Sequence, residues 1–185
     1  MPMPVIQQIK WPPRYRPTHS PVHVRNEIMI EAPAELVWAW LINAALWPTW
    51  YINSSNVCFL NCPPPNLVQG TRFRWSTFGL TITSTVLEFE PYERIAWDAH
   101  ARGLDAYHAW LIRRTQDGCH VLTEETQHGF LARLGNLVMP ERMSRYHEIW
   151  LQRLQQNACT GKPPHSQLGY GSNATEKTDG KRESD

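Results

Sequence analysis

The sequence predicts an α+β fold with a first strand, two short helices, six further antiparallel strands and a long C-terminal helix. Three observations carry this prediction. Apolar and polar residues alternate in strand fashion over His23–Ile30, and a helix starts soon afterwards at Pro33. Short strand-like runs separated by turn residues then follow one another. The pattern ends in a helical segment over roughly Leu131–Asn157.

The first helix is predicted from its start signal. Proline is well accommodated at a first helical position, where its missing N–H costs little, so we place Pro33 there. Glu35 complements the positive end of the helix dipole. A second helical turn is predicted over Asn43–Trp50. The first helix then presents one apolar face, formed by Val37, Trp40 and Leu41.

The later strands are predicted in hairpin order, because Gly, Pro, Asn and Asp residues mark the turns between them. Pro140 should interrupt the last helix, since proline cannot continue the hydrogen-bonding pattern. The predicted strands after the two short helices are Asn53–Asn61, Thr71–Thr77, Leu80–Phe89, Arg94–Arg102, Leu104–Arg114 and His120–His128.

Composition divides the chain into three parts. Residues 1–21 contain six prolines and three basic residues, so we expect an extended or irregular arm that packs on the domain through Trp11 and Tyr15. A short partner-binding tail is the alternative. Residues 22–158 form the folded domain. Residues 159–185 are polar and rich in Gly, Ser, Lys and Glu, and are predicted to be disordered.

The net charge and the absence of certain motifs limit the classes of partner that we expect. A formal net charge of +1 gives no reason to expect nucleic acid, and no apolar run approaches the roughly 20 residues that span a bilayer. The N-terminus lacks the pattern of a signal peptide, so a cytoplasmic monomer or homodimer is expected. No phosphate-binding loop or nucleophile elbow occurs, and no cofactor is predicted.

No metal site is predicted either. Cys58 and Cys62 are spaced CxxxC, but no second pair completes a zinc set, so reduced thiols are expected, with a metal or disulfide as the alternative. The histidines show no ligand spacing. His147 in particular is expected on a solvated or half-buried helix face.

Strand alternation also predicts which side chains face inwards. Pairing the strands across their turns places one set on a single face, which its aromatic residues mark as the inner one. Its middle layer is predicted to contain two small residues, a histidine and a carboxylate beneath aromatic walls. The predicted layer is Phe73, Ser84, Ala99, His108 and Glu125, flanked by Trp75, Trp97 and Trp110.

The sequence allows three interpretations of His108 and Glu125. The pair could contact a ligand, transfer a proton, or form a buried hydrogen-bonded pair with no substrate. Trp97 and Trp110 could be a cavity wall or simple packing. Met139 and Met143 near the helix break could let a pocket adapt, or could mark a plain helix boundary.

Two tryptophan-containing segments and the order of the elements resemble those of a known protein family. The segments are Ala32-Pro33-Ala34-Glu35-Leu36-Val37-Trp38-Ala39-Trp40-Leu41 and Trp47-Pro48-Thr49-Trp50-Tyr51. Over about Val22 to Asn157 the chain resembles the START-like (SRPBCC, helix-grip) superfamily, in its polyketide cyclase/dehydrase-type branch. That resemblance implies a sheet curled around the terminal helix and a ligand cavity between them. It also implies that the Trp-Pro-Thr-Trp segment shapes the loop over one cavity mouth.

The expected function is therefore binding of a hydrophobic or aromatic small molecule, lipid- or polyketide-like. The alternatives are a cofactor-independent cyclase or dehydratase with His108 as acid/base and Glu125 as its orienter, and a protein-interaction module of chaperone-activator type using the outer sheet face. The predicted ligand contacts are Phe73, Trp75, Ser84, Trp97, Ala99, His108, Trp110, Glu125, Met139 and Met143.

Overall fold

The structure, a computed structural model, describes residues 8–164. It contains one antiparallel sheet of seven strands, in the order β1-β7-β6-β5-β4-β3-β2, curved around a long C-terminal helix. The strands are β1 (Val22–Ile30), β2 (Ser55–Phe59), β3 (Arg72–Thr77), β4 (Leu80–Glu90), β5 (Arg94–Ala101), β6 (Leu104–Thr115) and β7 (Gly118–His128). The α-helices within this range are α1 (Ala34–Ile42), α2 (Trp47–Trp50), α3 (Phe130–Val138) and α4 (Arg142–Thr160), and short 3-10 helices lie at Pro13–Tyr15, Pro17–His19 and Ala44–Leu46. The predicted α+β helix-grip fold is confirmed.

The two short helices close one end of the sheet. Pro33 lies at the N-cap of α1 rather than in its first turn, so the helix begins one residue later than predicted. Trp38 and Leu41 are buried beneath α1, as the apolar pattern of this helix requires. The indole nitrogen of Trp47 donates a hydrogen bond to the carbonyl of Leu41 at 3.0 Å, which fixes α2 against α1.

The strand register agrees with the prediction at three hairpins and differs at one. Phe73 pairs with Ser84, and Val86 pairs with Trp97, as expected. Between β5 and β6, pairing across a turn centred just after Gly103 predicts Trp97 opposite Trp110. This prediction was wrong by two residues, since Trp97 lies opposite His108. The turn is centred on Arg102 and Gly103, one residue earlier than assumed. A shift of two residues preserves the face of every side chain, so the inner set still points inwards.

The N-terminal arm packs on the outer face of the sheet. The ring of Tyr15 stacks on Tyr107 with 5.4 Å between centroids, and its hydroxyl donates to Asp105 at 2.6 Å. Trp11 lies beside the ring of Tyr107, and the hydroxyl of Thr126 donates a hydrogen bond to the Tyr15 carbonyl. The arm therefore covers part of the outer face of the sheet through Trp11 and Tyr15. Its residues 1–7 lie outside the described range.

The C-terminal end of the domain extends further than expected. Helix α4 continues through Cys159 to Thr160, and Trp40 donates a hydrogen bond to the carbonyl of Gly161 at 2.7 Å. Cys159 and Thr160, predicted to lie in the disordered tail, are therefore helical. Residues 165–185 of that predicted tail lie outside the described part of the chain. The division of the chain into arm, domain and tail otherwise stays a prediction.

Helices α3 and α4 are separated at Pro140, as predicted. Gly129 precedes α3 with φ of 101°, and a Cβ atom there would lie 2.4 Å from the carbonyl oxygen of Gly103. Only glycine allows this close approach of the α3 entry to the β5–β6 turn. Among the described residues, no helix is both long enough and apolar enough to cross a membrane.

Candidate functional site

A cavity of about 390 Å³ lies between the inner face of the sheet and helices α3 and α4. Its size depends on two small residues, because Ala99 on β5 and Ala106 on β6 face each other across the strands and fill little space. Apolar side chains form most of its wall. These include Val22, Trp75, Ile82, Trp97, Leu104, Leu131, Ala132, Met139, Met143 and Trp150.

The rest of the concave side is filled by aromatic rings. We name Trp47, Tyr51, Phe73, Trp75, Trp97, Trp110 and Trp150 the aromatic cluster; each of these side chains is at most 3% exposed. Trp150 of α4 lies at its centre and stacks on Tyr51 with 4.2 Å between centroids. Trp47 contacts Trp150 edge-to-face at 5.2 Å. Such packed aromatic contacts stabilise a core. Tyr51, Trp75, Trp97 and Trp150 also line the cavity, so they form the boundary between the cluster and the cavity.

Seven of the ten predicted ligand-contact residues line the cavity, and three do not. Phe73 and Trp110 are enclosed within the aromatic cluster, and Ser84 accepts a hydrogen bond from the Trp75 indole at 3.2 Å. Alternation identified their face correctly, but all three are completely buried or nearly so and lie away from the cavity. The seven residues that line it are Trp75, Trp97, Ala99, His108, Glu125, Met139 and Met143.

One wall of the cavity carries a histidine–glutamate–histidine arrangement that we name the His-Glu-His cluster. His108 Nδ1 and His147 Nε2 each lie 3.2 Å from the same oxygen of Glu125, Oε2. The two imidazoles are nearly parallel, with 4.8 Å between centroids and 13° between planes. His108 comes from β6, Glu125 from β7 and His147 from α4, so the fold rather than local sequence assembles the cluster.

The neighbours of the cluster hold two of its side chains in place. His108 Nε2 is 2.7 Å from the hydroxyl of Thr123, and the Gln127 amide donates to Glu125 Oε1 at 2.6 Å. His147 Nδ1 is buried and has no hydrogen-bond partner among the described residues. The outer ring edge of His108 and the outer oxygen of Glu125 are thus already engaged, which leaves Nδ1 and Oε2 directed at one another.

Burial sets the charge state of His108. Removal from water lowers the pKa of this imidazole to about 3, and the nearby Glu125 carboxylate only partly opposes the effect, so the ring is neutral near pH 7. Burial also opposes ionisation of Glu125, but its two histidine neighbours and the Gln127 hydrogen bond outweigh that and lower its pKa to about 2. The cluster therefore holds a buried carboxylate beside a neutral imidazole.

Sequence reasoning missed His147. It was expected on a solvated or half-buried face, whereas its side chain is only 2% exposed. A signal was available in the helical spacing: His147, Trp150, Leu151, Leu154 and Ala158 follow one another at the intervals of a single helix face, and all five are buried. The apolar members of that stripe place the histidine on the core side of α4.

The structure also changes the expectation about metals. No ligand spacing was visible in the sequence, because metal-ligand motifs are recognised when donors lie close together in the chain. Here one donor atom from each of His108, Glu125 and His147 lies within 4.8 Å of the other two. Two imidazole nitrogens and a carboxylate oxygen form a donor set that first-row transition metals accept.

Comparison with known proteins agrees with the fold. The family model described as polyketide cyclase/dehydrase and lipid transport matches residues 21–158. A hypothetical protein from Helicobacter pylori, known by its crystal structure, is 30% identical, with a TM-score of 0.78 over 84% of this chain and 99% of that one. No curated protein matches this chain.

Two further similar structures are described as aromatase/cyclases. One, from a Streptomyces species, is 17% identical, with a TM-score of 0.62 over 74% of this chain and 93% of that one. The other is the di-domain protein StfQ of the steffimycin biosynthetic pathway, which is 14% identical with a TM-score of 0.62. This alignment covers 75% of the present chain and 51% of StfQ. At these identities the likeness concerns the fold alone.

Proposed function

We propose that this chain, which belongs to the polyketide cyclase/dehydrase and lipid transport family, binds a hydrophobic or aromatic small molecule in its internal cavity. The observation that carries the proposal is the cavity of about 390 Å³ beneath α3 and α4. Its size lies within the range of typical small-molecule sites, about 300–1,000 Å³. Apolar walls with a few convergent polar groups are the usual composition of such sites.

The lining predicts the chemistry of the ligand. Trp75, Trp97 and Leu104 offer apolar contact, whereas the polar groups are concentrated at His108, Glu125 and Gln127 on two neighbouring strands. A ligand that matches this distribution has an apolar or aromatic body and a polar group, such as a carbonyl or hydroxyl, at one end. Placing that group elsewhere would leave it buried without a hydrogen bond, at a cost of about 1–3 kcal/mol.

The helical side of the cavity suggests how such a ligand enters. Leu131, Leu134 and Val138 of α3 line the cavity, although α3 buries only Ala132 of its own residues. Met139 and Met143 lie on either side of the Pro140 break and also line it. A weakly packed helix and flexible methionine side chains can move without disrupting the core. We therefore place the entrance at α3 and the α3–α4 junction.

The proposal is tested by filling the cavity. We expect Ala106→Phe to abolish binding of fatty acids and polycyclic aromatic ketones, measured by native mass spectrometry and thermal shift, while the protein stays folded. Thr81→Phe is the matched control, because it adds the same ring on the exposed face of β4. Equal binding by the wild type and Ala106→Phe would place the ligand elsewhere and would contradict the proposal.

A second candidate function, a cyclase or dehydratase, is supported by the His-Glu-His cluster. His108 is buried, neutral and beside the cavity, and Glu125 can orient its imidazole, so the pair has the arrangement of a general acid/base. Two of the similar structures are described as aromatase/cyclases. If the chain is an enzyme, His108→Ala should abolish turnover while the ligand still binds. Loss of binding alone would indicate a ligand contact without catalysis.

A further inference from the structure

We propose that His108, Glu125 and His147 together bind a divalent first-row transition-metal ion at the wall of the cavity. The three residues come from two paired strands, β6 and β7, and from the long helix α4. Rigid secondary-structure elements therefore carry all three donors. A constellation held in this way is more precise than one built on loops.

The distances fit metal ligation. Two donors bound to one zinc ion at about 2.0–2.1 Å with tetrahedral angles lie about 3.3 Å apart. His108 Nδ1 and His147 Nε2 each lie 3.2 Å from Glu125 Oε2, so both carboxylate-to-imidazole separations already have this value. The three donor atoms lie within 4.8 Å of one another, so the two imidazole nitrogens must approach by up to about 1.5 Å to complete the set.

The groups behind two of the three donors, His108 and Glu125, are those expected around a metal. A ligating histidine usually directs its second ring nitrogen to an oxygen, which fixes the ring and its tautomer. His108 does so through Nε2, at 2.7 Å from the hydroxyl of Thr123. The Gln127 amide donates to Glu125 Oε1, which leaves Oε2 as the free ligand atom. Both contacts would hold the ligands in the orientation that a bound ion requires.

The charge of the site favours a cation. Glu125 is buried, and among the described residues its ion-pairing partners within 4.0 Å are the two histidines. No lysine or arginine of the described chain lies within that distance of the carboxylate. Burying a carboxylate without a compensating positive charge costs several kcal/mol. A divalent ion bound by this carboxylate and two imidazoles supplies that charge.

The cavity leaves room for a further ligand. His108, Glu125 and His147 all line it, so the side of the ion opposite the protein donors would face the cavity. Three protein ligands with an open position are characteristic of catalytic zinc sites, and two histidines with one glutamate are a known combination. Such an ion would act as a Lewis acid toward a carbonyl or hydroxyl oxygen of the molecule in the cavity.

The test uses the metal alone, so it does not depend on the organic ligand. The full-length chain, without a polyhistidine tag, is treated with a chelator, desalted and titrated with Zn²⁺ against a chromophoric competitor. We expect one Zn²⁺ per chain. Titration with Co²⁺ should produce the intense visible absorption of a four- or five-coordinate ion. If the protein binds no Zn²⁺, the cavity-filling test of ligand binding is unaffected. If that test fails, the zinc titration is equally unaffected.

Variants connect the metal to these residues. Glu125→Gln keeps the shape of the side chain but removes its charge, and His147→Gln removes an imidazole; each should weaken Zn²⁺ binding by more than about 100-fold, since loss of a supporting group alone costs about 10–100-fold. Thr123→Val removes a supporting hydroxyl and should weaken Zn²⁺ binding by about 10–100-fold. Thr123→Ser keeps the hydroxyl and should bind Zn²⁺ as the wild type does. His100→Ala, at an exposed histidine, is the control and should change nothing.

Near-ultraviolet circular dichroism of the aromatic cluster shows whether each variant is folded. A folded wild-type protein that takes up no Zn²⁺ or Co²⁺ would overturn the proposal. It would leave the cluster as a hydrogen-bonded group. Stoichiometric binding that Glu125→Gln and His147→Gln do not weaken would also overturn it, because the ion would then lie at surface thiols such as Cys58 or Cys159.

Discussion

The two halves of the concave side differ although the same strands build both. In one half the aromatic cluster packs between the sheet and α4, and in the other the cavity remains, with Trp75, Trp97 and Trp150 at the boundary. On β5 the inward residues change from Ala99 to Trp97 within one step of alternation, and on β6 they change from Ala106 through His108 to Trp110. The size of the inward side chain thus decides where the sheet encloses a core and where it encloses a cavity.

The helices above the two halves differ in the same way. Helix α4 buries five residues, among them Trp150 and Leu154. Helix α3 buries only Ala132 and exposes Phe130 and Leu137, at 71% and 80%. The packed half is therefore expected to supply stability, and the open half is expected to supply space and mobility. The His-Glu-His cluster lies where the two halves meet, since His108 contacts Trp97 and also lines the cavity.

The largest effect is expected in the packed half. Trp150→Ala should lower the free energy of unfolding by about 3–5 kcal/mol, because the cluster closes around this ring on several sides and cannot collapse into the gap. Urea denaturation measures the change. Trp50→Ala, at a half-buried ring, is the control and should cost clearly less. Equal losses at both positions would show that the cluster is not the main source of stability.

Matched alanine-to-leucine changes separate packed space from empty space. Ala44 and Ala106 are both completely buried, but Ala44 lies in the core and Ala106 lines the cavity. Ala44→Leu should destabilise the protein by about 1–3 kcal/mol through overpacking. Ala106→Leu should be neutral or stabilising by up to about 2 kcal/mol, because it fills empty space. Similar losses for both variants in urea denaturation would contradict the division into two halves.

Two glycine-to-alanine substitutions, one just before α3 and one inside it, compare a restricted backbone position with an unrestricted one. Gly129→Ala should destabilise by more than about 1 kcal/mol, because φ is positive and the new Cβ atom would collide with the Gly103 carbonyl. Gly135→Ala, inside α3 with open space around its Cβ position, should instead stabilise by about 0.5–1 kcal/mol. Thermal unfolding with circular dichroism compares them. A stabilising Gly129→Ala would mean that the α3 entry is not held against the β5–β6 turn.

The smallest effect is expected on the exposed side of α3. Leu137→Ala should change the free energy of unfolding by no more than about 0.5 kcal/mol, since the side chain is 80% exposed. The equivalent change at the buried position, Leu154→Ala, should cost about 2–5 kcal/mol. Hydrogen exchange should also show lower protection in α3 than in α4. A large loss for Leu137→Ala would mean that α3 packs more tightly than its exposure indicates.

Much of the site could be predicted from strand alternation, and the part that failed did so for a definite reason. His108 and Glu125 were placed on the inner face and opposite each other, as the structure has them. Phe73 and Trp110 share that face but lie deep in the aromatic cluster, because alternation gives the side of a sheet and not the depth along a curved strand. Their predicted contact with a ligand has no support in their position.

Local periodicity and the backbone restrictions of single residues predict the order of elements, the inward and outward faces and the break at Pro140. The contact between His147 and Glu125 depends on tertiary packing. The donor atoms of His147 reach the cluster through the packing of α4 across the sheet, 22 residues along the chain from Glu125. Contacts between elements distant in sequence leave no periodic signal, so the juxtaposition of His108, Glu125 and His147 could not be predicted from the sequence.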